Sequence, residues 1–175
     1  MKSDLDKLMK ERNLDAFIIF GNAEHNPPMY YMTGGGHVSH ATIIKKRGEP
    51  AVYFYNDMER DEAAKSGLKL IPYSKYDYNE LLKQANGNQL LASALRYKQM
   101  LEEVGVTEGN IGVYGTYDVS VVFGILTHLM KQSPSLNLVG EARDESLFLR
   151  AMETKRRIGS RTNPQDGKNH NYGCR

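Results

Sequence analysis

His37 and His40 stand three positions apart, directly behind three consecutive glycines, Gly34–Gly36. Paired histidines are candidate metal ligands or proton carriers, and a glycine run can cradle a phosphate or turn the chain. The phosphate reading fails on context. The glycines match neither G-x-x-x-x-G-K-[ST] nor a G-x-G-x-x-G that opens a helix, because a strand pattern follows them. Geometry disfavours the metal reading. Residues three apart share a helix face but point to opposite faces of a strand. No H-E-x-x-H is present, and no carboxylate lies close in sequence as a third ligand. What remains is a turn in which glycine permits positive φ. His37 and His40 are then loop-edge side chains, or residues at the edge of an active site built elsewhere.

The other reactive side chains assemble nothing firmer. His25 lies in a proline-flanked loop, and His128 at the edge of a helical stripe. Asp57, Glu59, Asp61 and Glu62 suit the solvated start of a helix. Ser39 and Ser120 lack a nucleophile-elbow context. The 11 tyrosines suit packing with the ring buried and the hydroxyl wet. No nucleophile, acid–base pair or metal cage can be built from these residues.

Composition limits the function classes. The 175 residues, 40% hydrophobic and 25% charged, suit one globular domain with a core. No apolar run approaches the roughly 18 residues of a membrane helix, and the charged N-terminus lacks the apolar segment of a signal peptide. Cys174 is the only cysteine, which excludes an intrachain disulfide and fits a reducing, cytoplasmic setting. From Lys155 onward lie 6 of the 23 basic residues and 1 of the 21 acidic ones, so the preceding chain is net −3. A basic tail can bind nucleic acid, but no aromatic interleaving or nucleic-acid motif accompanies it, and that function is not expected.

The elements that must position these residues follow from periodicity. Ser3 caps a first helix with Leu5, Leu8 and Met9 on one face. Asp15–Gly21 reads as a buried strand, and Asn22–Pro28 as loop, since two prolines argue against ladder or helix. Met29–Gly36 then turns into a hairpin of strands Ala41–Lys45 and Ala51–Tyr55. A polar helix ends near Gly67, and a strand ending near Pro72 suits a sheet edge. Leu90, Ala94, Tyr97, Leu101 and Val104 mark a long amphipathic helix, separated by Asn86–Asn88 from an earlier helical turn. A strand at Asn110–Thr116 precedes a helix capped by Asp118, with a stripe of Val119, Val122, Phe123, Leu126 and Met130. A last strand at Leu136–Glu141 and a last helix follow. The class is α/β, a mixed sheet of about six strands with helices on both faces.

This order of elements resembles the N-terminal domain of the creatinase, prolidase and aminopeptidase P family, the pita-bread metallohydrolases. The matching residues are Leu14–Gly34, including Tyr31-Met32-Thr33-Gly34 as a Tyr-x-Thr-Gly motif, then Ala41–Asn56, Asn110–Thr116, and Leu147–Lys155 as the start of a helix toward a catalytic domain. The sequence of Gly34–His40 departs from the usual loop at that place. The resemblance spans residues 1–155. It implies a non-catalytic domain that mediates homo-oligomer contacts and walls an active site, with His37, His40 and Tyr31 as substrate-gating candidates.

The resemblance also implies a C-terminal catalytic domain in cis. There two Asp, one His and two Glu would hold two divalent ions (Mn, Co or Zn) that activate water. None of those ligands can be placed in this sequence, so the chain alone is expected to be an inactive member of an Xaa-Pro peptidase-like metallopeptidase family. A stand-alone protein-interaction module, or a weak nucleic-acid binder acting through the basic tail, is the other reading. Residues 156–175 lack a hydrophobic period and read as a basic irregular tail. The codons possible for Arg157–Tyr172, read one base later, can encode an amphipathic helix, so a frameshifted product is also an expectation.

Overall fold

Every residue of Ala16–Phe20 is apolar and buried, which places this strand, β1, in the middle of the sheet. A computed structural model describes residues 3–36 and 38–159. In it β1 pairs on one side with β2 (Ala41–Lys46), antiparallel, and on the other with β5 (Gly109–Gly115), parallel. β3 (Val52–Tyr55), β4 (Lys69–Pro72) and β6 (Leu136–Val139) complete the order β4-β3-β2-β1-β5-β6. Only β2 runs against the others. β4 is an edge strand, as its proline requires, because a proline nitrogen cannot donate to a ladder.

Alternation along β1 divides the core in two. Phe17 and Ile19 point to one face, covered by α1 (Ser3–Glu11), α2 (Pro27–Thr33), α3 (Arg60–Ala64) and α7 (Leu147–Gly159). Ala16, Ile18 and Phe20 point to the other, covered by α5 (Gln89–Glu103) and α6 (Val119–Gln132). α4 (Tyr78–Gln84) packs on α5 through Leu81, Ala85 and Ala92.

Two polar clamps fix the first face. Glu141 accepts hydrogen bonds from the Tyr114 hydroxyl at 2.6 Å and the Leu147 N–H at 2.8 Å, and pairs with Arg12 at 3.0 Å. It thereby ties the end of α1, the sheet and the first turn of α7 together. The buried Lys45 ammonium donates to Asp6 and to the Glu49 carbonyl, each at 2.8 Å, joining α1 to the hairpin. Between the clamps Phe148 makes edge-on contacts with Phe17 at 5.2 Å and Tyr114 at 5.0 Å. Such pairs contribute about 1 kcal/mol each beyond their buried area.

Three expectations are corrected. Pro27 and Pro28 do not hold a loop; they open α2 at its first two positions, where a helix leaves its N–H groups unpaired in any case. The turn expected at Met29–Gly36 is therefore helical through Thr33 and turns only at the glycines. The stripe on α6 faces the core only in part, since Leu126 packs on it while Val119, Phe123 and Met130 are exposed. Val119 is 81% exposed and Phe123 72%, while Ile125 and Leu129 are buried. α6 has apolar residues all round, so period alone does not choose its inner face. Gly124 lies on the inner side, where a Cβ would come within 2.7 Å of Leu90 on α5.

α7 continues through Gly159, past the boundary expected at residue 155. Residues 160–175, the rest of the expected tail, lie outside the described residues, as does His37.

Candidate functional site

The site expected from sequence lies at the end of α2. Asn26 starts that helix. Its side chain is buried, accepts from the Met29 N–H at 3.4 Å and donates to the Phe20 carbonyl at 2.7 Å, so the helix is hung from the end of β1. At the other end Gly34 adopts φ 78° and returns its N–H to the Tyr30 carbonyl at 2.8 Å, a left-handed cap that glycine takes without strain. Thr33 bridges the same turn, donating to the Met29 carbonyl at 2.9 Å and accepting from the Gly35 N–H at 3.3 Å. The Tyr-x-Thr-Gly motif is thus a helix terminus.

The candidate side chains have different partners. Tyr31 is half-buried, with its ring edge-on to Phe148 at 5.9 Å. Burial, and after it the charge of Asp4, raises its hydroxyl pKa above the ordinary value. Tyr30, which the sequence did not single out, is 60% exposed on the same helix and packs on Gly35. His40 is exposed, with Nδ1 3.4 Å from the Ser39 Oγ.

The structure brings Ser39 to Glu59, a pairing the sequence reading missed. Glu59 Oε1 accepts from both the N–H and the hydroxyl of Ser39, each at 2.7 Å, and Oε2 is buried without a hydrogen-bond partner. The two residues are 20 positions apart, and the hairpin closes them. The Glu59 charge, second to burial, raises the pKa of the Tyr53 hydroxyl. This is not a nucleophile relay, because the Ser39 proton is held by a carboxylate and not by an imidazole. It is an anchor for the loop that enters β2. Among the described residues no three His, Cys, Asp or Glu side chains group closely enough to hold a metal ion. No helix among them is long and apolar enough to cross a membrane.

A six-stranded mixed α/β sheet, with one reversed strand and a glycine-capped helix beside it, defines the class. The sequence profile of the creatinase/prolidase N-terminal domain matches residues 2–142, and the chain belongs to that family. No functionally curated protein matches it. Among solved structures it is similar to a dipeptidase from Pyrococcus horikoshii, at 14% identity and TM-score 0.52, over 87% of this chain and 36% of that one. It is similar to an X-Pro aminopeptidase from Thermotoga maritima, at 13% identity and TM-score 0.54, over 87% and 35%. It is also similar to an isolated domain of a dipeptidase from Streptococcus thermophilus, at 11% identity and TM-score 0.50, over 86% and 95%. The chain thus spans about a third of the two longer proteins and matches the isolated domain almost end to end.

Proposed function

We propose that this chain is the non-catalytic N-terminal domain of an Xaa-Pro peptidase-like metallohydrolase, and that it serves oligomer assembly and the gating of substrate. The observation that carries this is the family match over residues 2–142 on a fold that occupies about a third of the dipeptidase and aminopeptidase. The two divalent ions and their carboxylate and histidine ligands belong, on this reading, to a catalytic domain that α7 leads toward. The clamp at Glu141 supports it, since it sets the direction in which that helix leaves the sheet.

Gating falls to the end of α2, where Tyr31 and His40 flank the glycine turn with His37 beside them in sequence. Assembly falls to the exposed apolar face of α6, because exposed side chains of that size mark contact surfaces. The same face is the observation that favours a stand-alone interaction module as the second reading.

The test is substitution in a protein that carries both domains. His37→Ala and His40→Ala raise KM for an Xaa-Pro peptide while bound metal is retained. Loss of bound metal in His37→Ala contradicts the gating assignment.

A further inference from the structure

Asn86-Gly87 is the only Asn-Gly pair in the sequence, and it forms the turn between α4 and α5. The pair closes α4 with two backbone hydrogen bonds. The Asn86 N–H donates to the Lys83 carbonyl and the Gly87 N–H to the Leu82 carbonyl, each at 2.9 Å. Such a cap needs a left-handed residue at its first position, and Asn86 supplies it at φ 51°. Asparagine tolerates that conformation better than most residues that carry a side chain. Both residues are exposed, and a Cβ at Gly87 would meet nothing within 4 Å.

This pairing has a known chemical weakness. With no side chain on the glycine, its backbone nitrogen can reach the asparagine side-chain carbonyl once it has lost its proton. The N–Cγ bond forms, the Cγ–Nδ2 bond breaks, and Nδ2 leaves as ammonia. Water then opens the five-membered imide at Cγ, giving aspartate, or at the backbone carbonyl, giving isoaspartate. The cap opposes the first step. The Gly87 nitrogen gives up its proton to base only when its bond to Leu82 opens, the same event that admits amide hydrogen exchange.

We propose that Asn86 is a site of spontaneous deamidation, gated by the cap of α4. Opening of α4 bares the Gly87 nitrogen and frees Asn86 to rotate toward it. The two products differ in consequence. Aspartate keeps the backbone path. Isoaspartate adds a methylene to it, which displaces Gly87 from Leu82 and loosens α4, whose Leu81 and Ala85 pack with Ala92 of α5. The site does not depend on the function proposed above.

The test is incubation of the full chain at mildly alkaline pH. Peptide mass mapping follows the replacement of amide by acid at each asparagine, and amide hydrogen exchange follows Gly87. Asn86 is expected to convert before Asn13, Asn56 and Asn79, which are also exposed but precede bulkier residues. It is expected to convert at least about tenfold more slowly than in the urea-unfolded chain. Asp77 caps the start of α4, accepting from the Asn79 and Glu80 N–H groups at 3.0 and 3.1 Å. Asp77→Ala loosens the helix without touching the turn, and speeds both Gly87 exchange and Asn86 conversion about fivefold. The proposal is overturned if Asn13, Asn56 or Asn79 converts first, or if folded and unfolded chains convert equally fast. It is also overturned if Asp77→Ala speeds exchange at Gly87 and leaves conversion of Asn86 unchanged.

Discussion

On one face of the sheet α1, α2 and α7 meet over Phe17, Tyr114 and Phe148, and Glu141 and Lys45 tie their ends with short charged hydrogen bonds. On the other face α5 and α6 bury Ile18, Tyr97 and Leu129, yet leave Phe123 and Val119 in solvent, and among the described residues Arg96 has no ion pair. The first face is closed by its own side chains. Among the described residues the second carries two buried groups without a hydrogen-bond partner, the Arg96 Nε–H and the Tyr76 hydroxyl, and the first carries one, Glu59 Oε2. The charged clamps lie on the α7 side, and the large exposed apolar side chains Val119 and Phe123 on the α6 side.

Substitution can break this contrast. The largest expected effect is Glu141→Ala, which strands Arg12, the Tyr114 hydroxyl and the Leu147 N–H. It costs about 3 kcal/mol in urea unfolding. A cost below about 1 kcal/mol shows that the first face does not depend on the clamp.

Asp6→Ala is next, at about 2 kcal/mol, because it leaves the buried Lys45 ammonium with carbonyl partners only. Burial alone would raise the Asp6 pKa, but hydrogen bonds from the Gly48 N–H and Lys45, and the charges of Lys45 and Arg47, outweigh it and hold the pKa below 3.8. The depressed value fixes the sign. Its stabilisation is present above pH about 4 and is lost as pH falls through the lowered folded value. Asp6→Asn removes that part of the acid-side slope, and an unchanged slope contradicts the assignment.

Glu59→Gln comes third. It weakens the Ser39 anchor by about 1 kcal/mol and speeds amide exchange at Ser39. Unchanged exchange there shows that Glu59 does not hold the loop. Phe123→Glu has the smallest effect on folding, within about 0.5 kcal/mol, because its side chain is exposed. It sharpens the contrast in another readout, since light scattering is expected to show self-association in the parent chain and its loss in the variant. A parent chain that is strictly monomeric removes the assembly role from α6.

The six strands were legible because β1 and the hairpin carry apolar runs bounded by turn residues, and Pro72 marked an edge, but their order in the sheet was not. The helix faces were less legible. Proline is judged by its place in a helix, and the sequence Asn26-Pro27-Pro28 is a cap followed by the first helical positions, a signal present in the residues but read as a loop. α6 gave no such signal, since Gly124 reveals its inner face only once Leu90 is packed against it. The anchor between Ser39 and Glu59 and the rings around Arg96 join distant positions, which no local spacing displays.

The central claim is that this chain supplies structure and no turnover. It is tested most directly by assaying the 175-residue chain against an Xaa-Pro dipeptide in the presence of manganese. No hydrolysis above the metal-only control is the predicted result, and manganese-dependent turnover that scales with the concentration of the chain contradicts the account.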